Sequence, residues 1–535
     1  MVLKNLNMDL SWKGLASQLI ASNANGFKLA IAFCLGLTLP LSFAPFDYWP
    51  VAILSLIGFQ ALVTGLPAKA GFKVGWSYGF GVFAAGASWV YVSIHEYGFA
   101  PVPLALLLTF LFTFLLGLFF ALQTYTFNRW FDFSDYRNLL TFPAIWILFE
   151  WFRSWFLTGF PWLYLGYGHI ETWLAGWAPV FGVFGIGFIT VLTASSLLLC
   201  IKSAIQNPSV KKQGLPLLVC LLLWGSGLLL TNVQWTTSKE EISVTLMQGN
   251  IPQEKKWLNE YRPVSLKTYR ELNRNVHSDL IIWPETAIPY FKHQVPDWLE
   301  ETEQLLQPDQ GLITGIPYLR PDSKRSNPIL HNSIIGMGQA TGMYHKQKLV
   351  PFGEYVPMQD ILRGLIQFFN LPMSNFRPGP AHQEPIKFRD SLFWPAICYE
   401  IAYPSFIAEN IGNDHPSNVI LTISNDAWFG DSLGPKQHLQ LAQMRALENS
   451  RYVLRATNTG LTAVINEKGI IENDMPAFIA GGLSARIAPQ QGLTPYSQWT
   501  DKPILALVLL SLLAAKLLGR VPSSINNQQT NQLQS

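Results

Sequence analysis

The sequence predicts a multi-span α-helical membrane domain joined to a soluble α/β domain. Of its 535 residues, 49% are hydrophobic and only 13% charged, about half the charge of an ordinary soluble chain. The charge is also uneven: residues 29–46, 48–68, 74–94, 102–124, 173–201 and 213–238 hold no Asp, Glu, Lys or Arg, whereas 239–502 alternates apolar and charged segments. That alternation is of short β runs with amphipathic helices, which argues a layered α/β core. A net charge of +3 gives no basic surface for a nucleic-acid partner.

A membrane-crossing helix needs about 20 mostly apolar residues, and seven candidates precede residue 239: 28–45, 49–66, 73–94, 102–124, 138–157, 176–201 and 214–232. The first follows Lys4, Lys13 and Lys28 without a small-residue cleavage site, so it reads as an uncleaved helix rather than a signal peptide. The fifth carries Glu150 and Arg153, three residues apart on one helix face, which is placed for mutual neutralisation. An eighth, 503–519, has 13 uncharged residues between Lys502 and Lys516 and spans only if those lysines reach the two interfaces. With the N-terminus inside, Lys4, Lys13, Lys28, Lys69, Lys73, Arg129, Arg137, Lys202, Lys211, Lys212, Lys516 and Arg520 face the cytoplasm, against Arg153 and Lys502 outside. The positive-inside bias then sets the organisation: a membrane domain at 1–238, a soluble domain at 239–502 on the outer, periplasmic side, a C-terminal span at 503–520, and a Gln/Asn-rich disordered cytoplasmic tail at 521–535.

In the soluble part, 242–248, 279–283, 311–315, 333–337, 392–398, 419–424 and 461–465 read as strands, and 262–276, 298–306 and 437–449 as helices. Cys34, Cys200 and Cys220 fall in apolar runs as small buried hydrophobes. Cys398 alone lies in the soluble part, at the end of Phe393-Trp394-Pro395-Ala396-Ile397 and before Tyr399-Glu400. A strand turning into a helix there would lower the thiol pKa and supply backbone N–H groups to an oxyanion; the competing reading is a buried structural thiol. Glu285 follows Trp283-Pro284 at a strand's carboxyl end, desolvated and so a better base, or else it is a surface carboxylate. Lys346 stands beside His345 and Lys348 in Tyr344-His345-Lys346-Gln347-Lys348, and any of these could be the cation an oxyanion needs. Glu354 is either an orienting carboxylate or a loop residue. A Glu, a Lys and a Cys together are the equipment for acyl transfer through a thioester. No CxxC or metal-ligand spacing occurs, and no Walker-type run, so neither a metal nor a cofactor is expected.

Glu285, Lys346 and Cys398, in that order, together with Gln248-Gly249-Asn250-Ile251-Pro252-Gln253, Leu349-Val350-Pro351-Phe352-Gly353-Glu354 and Ser424-Asn425-Asp426-Ala427-Trp428-Phe429-Gly430, resemble the nitrilase, or carbon–nitrogen hydrolase, superfamily. Within it the chain, from about residue 29 to 520, is similar to the bacterial inner-membrane enzymes that N-acylate apolipoproteins. The resemblance implies an αββα sandwich and selects Lys346 over Lys348. It also implies a phospholipid acyl donor, a Cys398 thioester, and as acceptor the N-terminal amine of a diacylglyceryl-modified apolipoprotein. Glu285 would then shuttle protons, Lys346 and the Tyr399 N–H hold the oxyanion, Glu354 and Glu400 orient the Lys and Cys, and Trp257 bind substrate or serve as an aromatic interface anchor.

Two other readings stand beside this one. A membrane-tethered amidase would discharge its acyl-enzyme with water, but it has no need of so many spans or of the aromatic loop Phe368-Phe369-Asn370-Leu371-Pro372-Met373. A transporter or scaffold would place more paired charges in its spans than Glu150/Arg153 and His95/Glu96.

Overall fold

The computed structural model describes residues 24–134, 136–206, 214–321, 328–355, 376–412 and 416–518. Lys4, Lys13, Lys211, Lys212, Arg520, the loop 368–373 and the predicted tail 521–535 lie outside the described residues.

Each of the eight apolar runs contains a helix: Gly26–Thr38, Trp49–Val63, Ala68–Gly86, Val102–Thr126, Asn138–Trp155, Ala178–Gln206, Gly214–Leu230 and Lys502–Leu518. The last returns from the far end of the chain, and its Ile504, Val508 and Leu512 join the same core as Ile145 and Val183. Close helix approach rests on small residues, as in membrane bundles. A Cβ on Gly36 would collide with the Tyr78 carbonyl, and one on Gly75 with the Phe120 carbonyl. Among the described residues, Val102–Phe131 and Trp173–Ala204 are long and apolar enough to cross a membrane, while Gly26–Ser42, Trp49–Val63 and Gly214–Leu230 are shorter apolar helices. Length and composition thus carry fewer crossings than the eight predicted.

Two expectations for this domain change. Glu150 accepts from the Trp146 indole at 3.0 Å and the Leu165 N–H at 3.1 Å, while Arg153 donates to the carbonyls of Phe160 and Trp162. The two charges do offset each other electrostatically, as expected, but their hydrogen bonds go instead to the irregular backbone of residues 160–165, whose amides and carbonyls lack helical partners. Of the cysteines expected to be buried, only Cys220 is; Cys34 is exposed and Cys200 half-buried.

The second domain is two sheets packed face to face. One runs in the order Gly481–Ile487, Ile242–Gln248, Leu280–Ile282, Gly311–Arg320, Ile329–Gly338, Met343–His345; the other runs Ile471–Met475, Thr462–Ile465, Tyr452–Thr457, Val419–Ser424, Ser391–Ile397, Ile386–Phe388, Ala340–Thr341. Strand alternation sorts the side chains: Leu280 and Ile282 face the core shared with Phe393, Ile397 and Ile420, while Ile281 and Trp283 face Tyr269 and Leu299 of the helices Arg262–Asn273 and Pro296–Gln304. The helices Pro404–Ile411 and Gly434–Asn449 contribute Ile407, Ile411 and Ala442 to the core of the opposite sheet. The arrangement is therefore αββα. Several edge strands escape the sequence reading because they are two to five residues long or, like Gly481–Ile487, alternate on a solvent face. Thr237–Ser238 pairs antiparallel with Gln490–Gln491, so the domain begins and ends at one place, next to the helices that precede and follow it.

Candidate active site

The central strands of each sheet are parallel: Ile242–Gln248 with Leu280–Ile282 and Gly311–Arg320, and Ser391–Ile397 with Val419–Ser424 and Tyr452–Thr457. Their carboxyl ends deliver Glu285, Cys398 and Asn425 to one edge of the sandwich, where α/β folds collect ligand-binding groups. Both key turns are left-handed: Cys398 has φ +53° and Thr286, just after Glu285, has φ +45°. A non-glycine residue in that region costs about 1–2 kcal/mol and persists where its surroundings over-determine it. At Glu285 the surroundings include Gly315, where a Cβ would lie 2.5 Å from the Thr286 nitrogen and 2.7 Å from the Pro284 carbonyl.

Glu285, Lys346 and Cys398 are all buried and come together. One oxygen of Glu285 accepts from the Asn332 side-chain amide at 2.7 Å and lies 3.7 Å from Lys346 Nζ, and the other accepts from the Asn425 backbone N–H at 2.8 Å. Lys346 Nζ pairs more closely with Glu354, at 2.8 Å. Glu354 also accepts from Asn332 at 3.0 Å and from the Val350 N–H at 2.9 Å. Burial alone would lower the Lys346 pKa, but Glu354, Glu285 and Cys398 outweigh it and raise the ammonium above its ordinary value. Lys346 is therefore a fixed positive charge.

Glu400 accepts from the Ile397 N–H at 2.7 Å, the Tyr344 hydroxyl at 2.9 Å, the Gln347 N–H at 2.6 Å and the Lys348 N–H at 3.0 Å. It thereby ties the cysteine turn to the backbone just past Lys346, although burial pushes its carboxyl up to about 7. Lys348 points elsewhere, over the rings of Tyr403 and Phe406. His345, the other competitor, hydrogen-bonds Ser333 and stacks on His331.

The thiol departs from the sequence expectation. Burial, reinforced by Glu285 and opposed by Lys346, pushes Cys398 up to about 12 instead of lowering it. The helix expected to stabilise a thiolate is a five-residue 3₁₀ turn, Cys398–Ala402, too short for a useful dipole, and two carboxylates face the sulfur. The resting thiol is neutral, so any attack by its sulfur would require that its proton be taken as the new bond forms.

Tyr399 reaches the helical domain, where its hydroxyl donates to the Gly159 carbonyl at 3.0 Å. Trp257 is half-buried and lines a cavity of about 280 Å³ with Tyr97, Phe99, Phe291 and Trp428. It does not line the triad itself, but its neighbour Lys256 is buried and donates to the Glu285 carbonyl at 2.9 Å, its pKa lowered by burial to about 8. A second cavity, of about 520 Å³, opens on the Lys346 side between Trp151, Trp155, Lys348 and Tyr403. Asn332, Asn425 and Lys256 were missed as site residues. The one available signal was His331-Asn332-Ser333, a polar run inside an otherwise apolar strand.

Comparison with known proteins identifies both domains. Residues 35–196 match the apolipoprotein N-acyltransferase N-terminal domain, and residues 243–492 match the carbon–nitrogen hydrolase family. The chain is 44% identical to the apolipoprotein N-acyltransferase of Azotobacter vinelandii, over 90% of this chain and 93% of that protein. It is 46% identical to that of Pseudomonas paraeruginosa, over 92% and 95%, and 39% identical to that of Coxiella burnetii, over 90% and 98%. The chain, a helical bundle carrying a nitrilase-type sandwich with Glu, Lys and Cys at one edge and matched by these relatives over 90% or more of its length, belongs to the apolipoprotein N-acyltransferase family.

Proposed function

We propose that the protein transfers an acyl chain from a membrane phospholipid to the N-terminal amine of a diacylglyceryl-cysteine on an apolipoprotein, with Glu285, Lys346 and Cys398 as its catalytic residues. The observation that carries this reading is the convergence of a buried carboxylate, a buried ammonium and a buried neutral thiol at the carboxyl edge of the sandwich, in a chain of this family. Cys398 Sγ attacks the ester carbonyl carbon while its proton passes to Glu285. A carboxylate has about four acceptor sites; Asn332 and Asn425 engage one on each oxygen, with Lys346 at 3.7 Å from the first, so acceptor capacity remains for that proton. The tetrahedral oxyanion forms beside Lys346 and the Tyr399 N–H. Collapse expels the lysophospholipid alkoxide, which takes the proton from Glu285 and leaves a thioester. The acceptor amine then attacks, its proton passes through Glu285 to the departing sulfur, and an amide is released. Glu354 and Glu400 hold the Lys and Cys in register through the bonds described above, and Trp257 lines the apolar cavity beside them. The phospholipid ester already carries the activation, so no nucleotide is required.

All eight helices cross or enter the inner membrane in this reading. Their outward faces support it: Leu54, Leu106, Leu115, Leu221, Leu229, Leu509 and Leu510 are each more than half exposed, an apolar surface that water would not tolerate at this extent. Both substrates are lipid-anchored, so a catalytic domain tethered by helices at both ends works at high effective concentration. The Lys/Arg asymmetry puts that domain in the periplasm. A periplasm-active reporter fused after Lys239 is therefore expected to be active, and one fused after Arg520 silent; the reverse pattern would remove access to exported apolipoproteins.

The test of the reaction is the lifetime of the thioester. Given phospholipid alone, the protein is expected to accumulate acyl-Cys398, visible by mass spectrometry, and a diacylglyceryl-peptide with a free amine to discharge it. Rapid discharge by water, unchanged by the peptide, would instead assign an amidase.

A further inference from the structure

Beneath the cysteine turn lies a buried cluster that the reaction above does not use. His438, on the helix Gly434–Asn449, is fully buried, and its Nε2 lies 3.2 Å from the Cys398 carbonyl oxygen. A carbonyl has no proton to give, so Nε2 carries the hydrogen and donates, whatever the state of Nδ1. The other side of the ring is fixed by charge. Arg455 Nη2 reaches His438 Nδ1 at 3.1 Å and also bonds Asp426, whose Oδ1 lies 3.1 Å from Nδ1 and accepts from the Ser424 hydroxyl at 2.6 Å. The ring stacks on Trp162, with centroids 5.7 Å apart, and Trp162 stacks in turn on Tyr399 at 6.1 Å. Burial, and then Arg455, lower the imidazole pKa against the pull of Asp426, in keeping with a ring that stays in place as a donor and does not exchange protons.

What this bond controls follows from peptide geometry. The Cys398–Tyr399 peptide is trans, so its C=O and N–H point in opposite directions in one plane. A donor that draws the Cys398 carbonyl toward the Gly434–Asn449 helix therefore turns the Tyr399 N–H away from that helix. One peptide further back, Ala396–Ile397 is held as well, because Glu400 accepts from the Ile397 N–H. The left-handed turn at Cys398, φ +53°, is thus held at its own carbonyl by His438 and one residue upstream by Glu400, the kind of over-determination a strained turn requires.

We infer that His438 is a positioning residue for the acyl transfer: by holding the Cys398 carbonyl it aims the Tyr399 N–H at the oxyanion. The inference rests on the reaction proposed above and adds to it the group that orients the backbone donor. A preorganised donor contributes about 10²–10³-fold in rate, and only to a step that builds a tetrahedral oxyanion. Alkylation of the same sulfur by iodoacetamide is a displacement at an sp³ carbon and builds none. The two reactions therefore separate aiming the donor from merely keeping the thiol in place.

The experiment compares His438→Gln with His438→Asn in the full-length protein. Glutamine carries an amide N–H out to the position of Nε2; asparagine, one methylene shorter, does not. The rates of Cys398 acylation by a diacyl phosphoglyceride in detergent micelles and of alkylation by iodoacetamide are measured side by side. The asparagine variant is expected to lose acylation by about 10²-fold and to alkylate at the wild-type rate, and the glutamine variant to recover most of the acylation. Wild-type acylation by His438→Asn, or a parallel loss of both reactions in both variants, would overturn the assignment. If the asparagine variant is recovered unfolded, His438→Phe, which keeps a ring against Trp162 but has no donor, takes its place; failure of that variant to fold as well would assign His438 to folding and overturn the proposal. A wild-type protein that takes no acyl group from the phospholipid would instead sink the reaction itself, which the wild-type arm reports separately.

Discussion

Cys398→Ser is expected to bring acyl transfer down by about 10⁴-fold or more, the scale of removing a nucleophile that acts as a unit with its base, in a protein that remains folded and membrane-inserted. The exchange replaces one small atom by another at a site that is only 9% exposed, so packing barely changes. The chemistry changes far more, because a serine hydroxyl gives up its proton less readily than a thiol, and here even the thiol is held neutral by burial and Glu285. Cys34, Cys200 and Cys220 lie on the helices of the first domain and contribute no group to the site, and their replacement by alanine is expected to leave activity near wild type. The measurement is turnover of a fluorescent diacylglyceryl-peptide with phospholipid donor. Near-normal transfer by Cys398→Ala would remove the nucleophile from the proposal.

Glu285→Gln should slow formation of the Cys398 thioester by about 10²–10⁴-fold, the usual contribution of a general base. An amide cannot take the thiol proton, and with the thiol raised to about 12 little thiolate forms without help. The substitution also forces a local conflict. Both Glu285 oxygens receive donors, from Asn332 on one side and the Asn425 N–H on the other, so whichever way the new amide is turned, its NH₂ faces another donor. Some stability is therefore lost along with the base, and a rapid-quench measurement of thioester appearance, run beside a thermal melt, separates the two. Unchanged thioester kinetics in a folded Glu285→Gln protein would show that another group accepts the proton.

Those two substitutions probe residues of which one announced itself in the sequence and the other needed context. Cys398 stands alone in the soluble half after an apolar run, while Glu285 was balanced against an ordinary surface carboxylate until the motif order was considered. The elements that carry them were readable because their signals are local. The alternation at 242–248 and the short apolar run at 419–424 returned strands with those same bounds, and the eight charge-poor runs all returned helices. Where a strand broke the pattern, as in Tyr452–Thr457 with its buried Arg455, the reading failed. That arginine is tolerated only because Asp426, 29 positions away, neutralises it, and no window along the chain contains both.

By itself the sequence determined the two-part plan and the strand and helix periodicities, since each depends on residues a few positions apart, and the order of the Glu, Lys and Cys, which is read directly along the chain. Only the tertiary structure decided the electrostatics of the site. Asn425 and Asn332 meet Glu285 across 140 and 47 positions, and Glu400 reaches 53 positions back to the strand end beside Lys346. His438 finds the Cys398 carbonyl 40 positions away. The direction of the thiol's pKa followed from that assembly. The local sequence offered a helix end that would lower it, but the folded chain supplied burial and carboxylates that raise it. In a low-dielectric interior, charge and desolvation depend on what lies within a few ångströms of the sulfur, and that neighbourhood forms only when the two sheets close on each other.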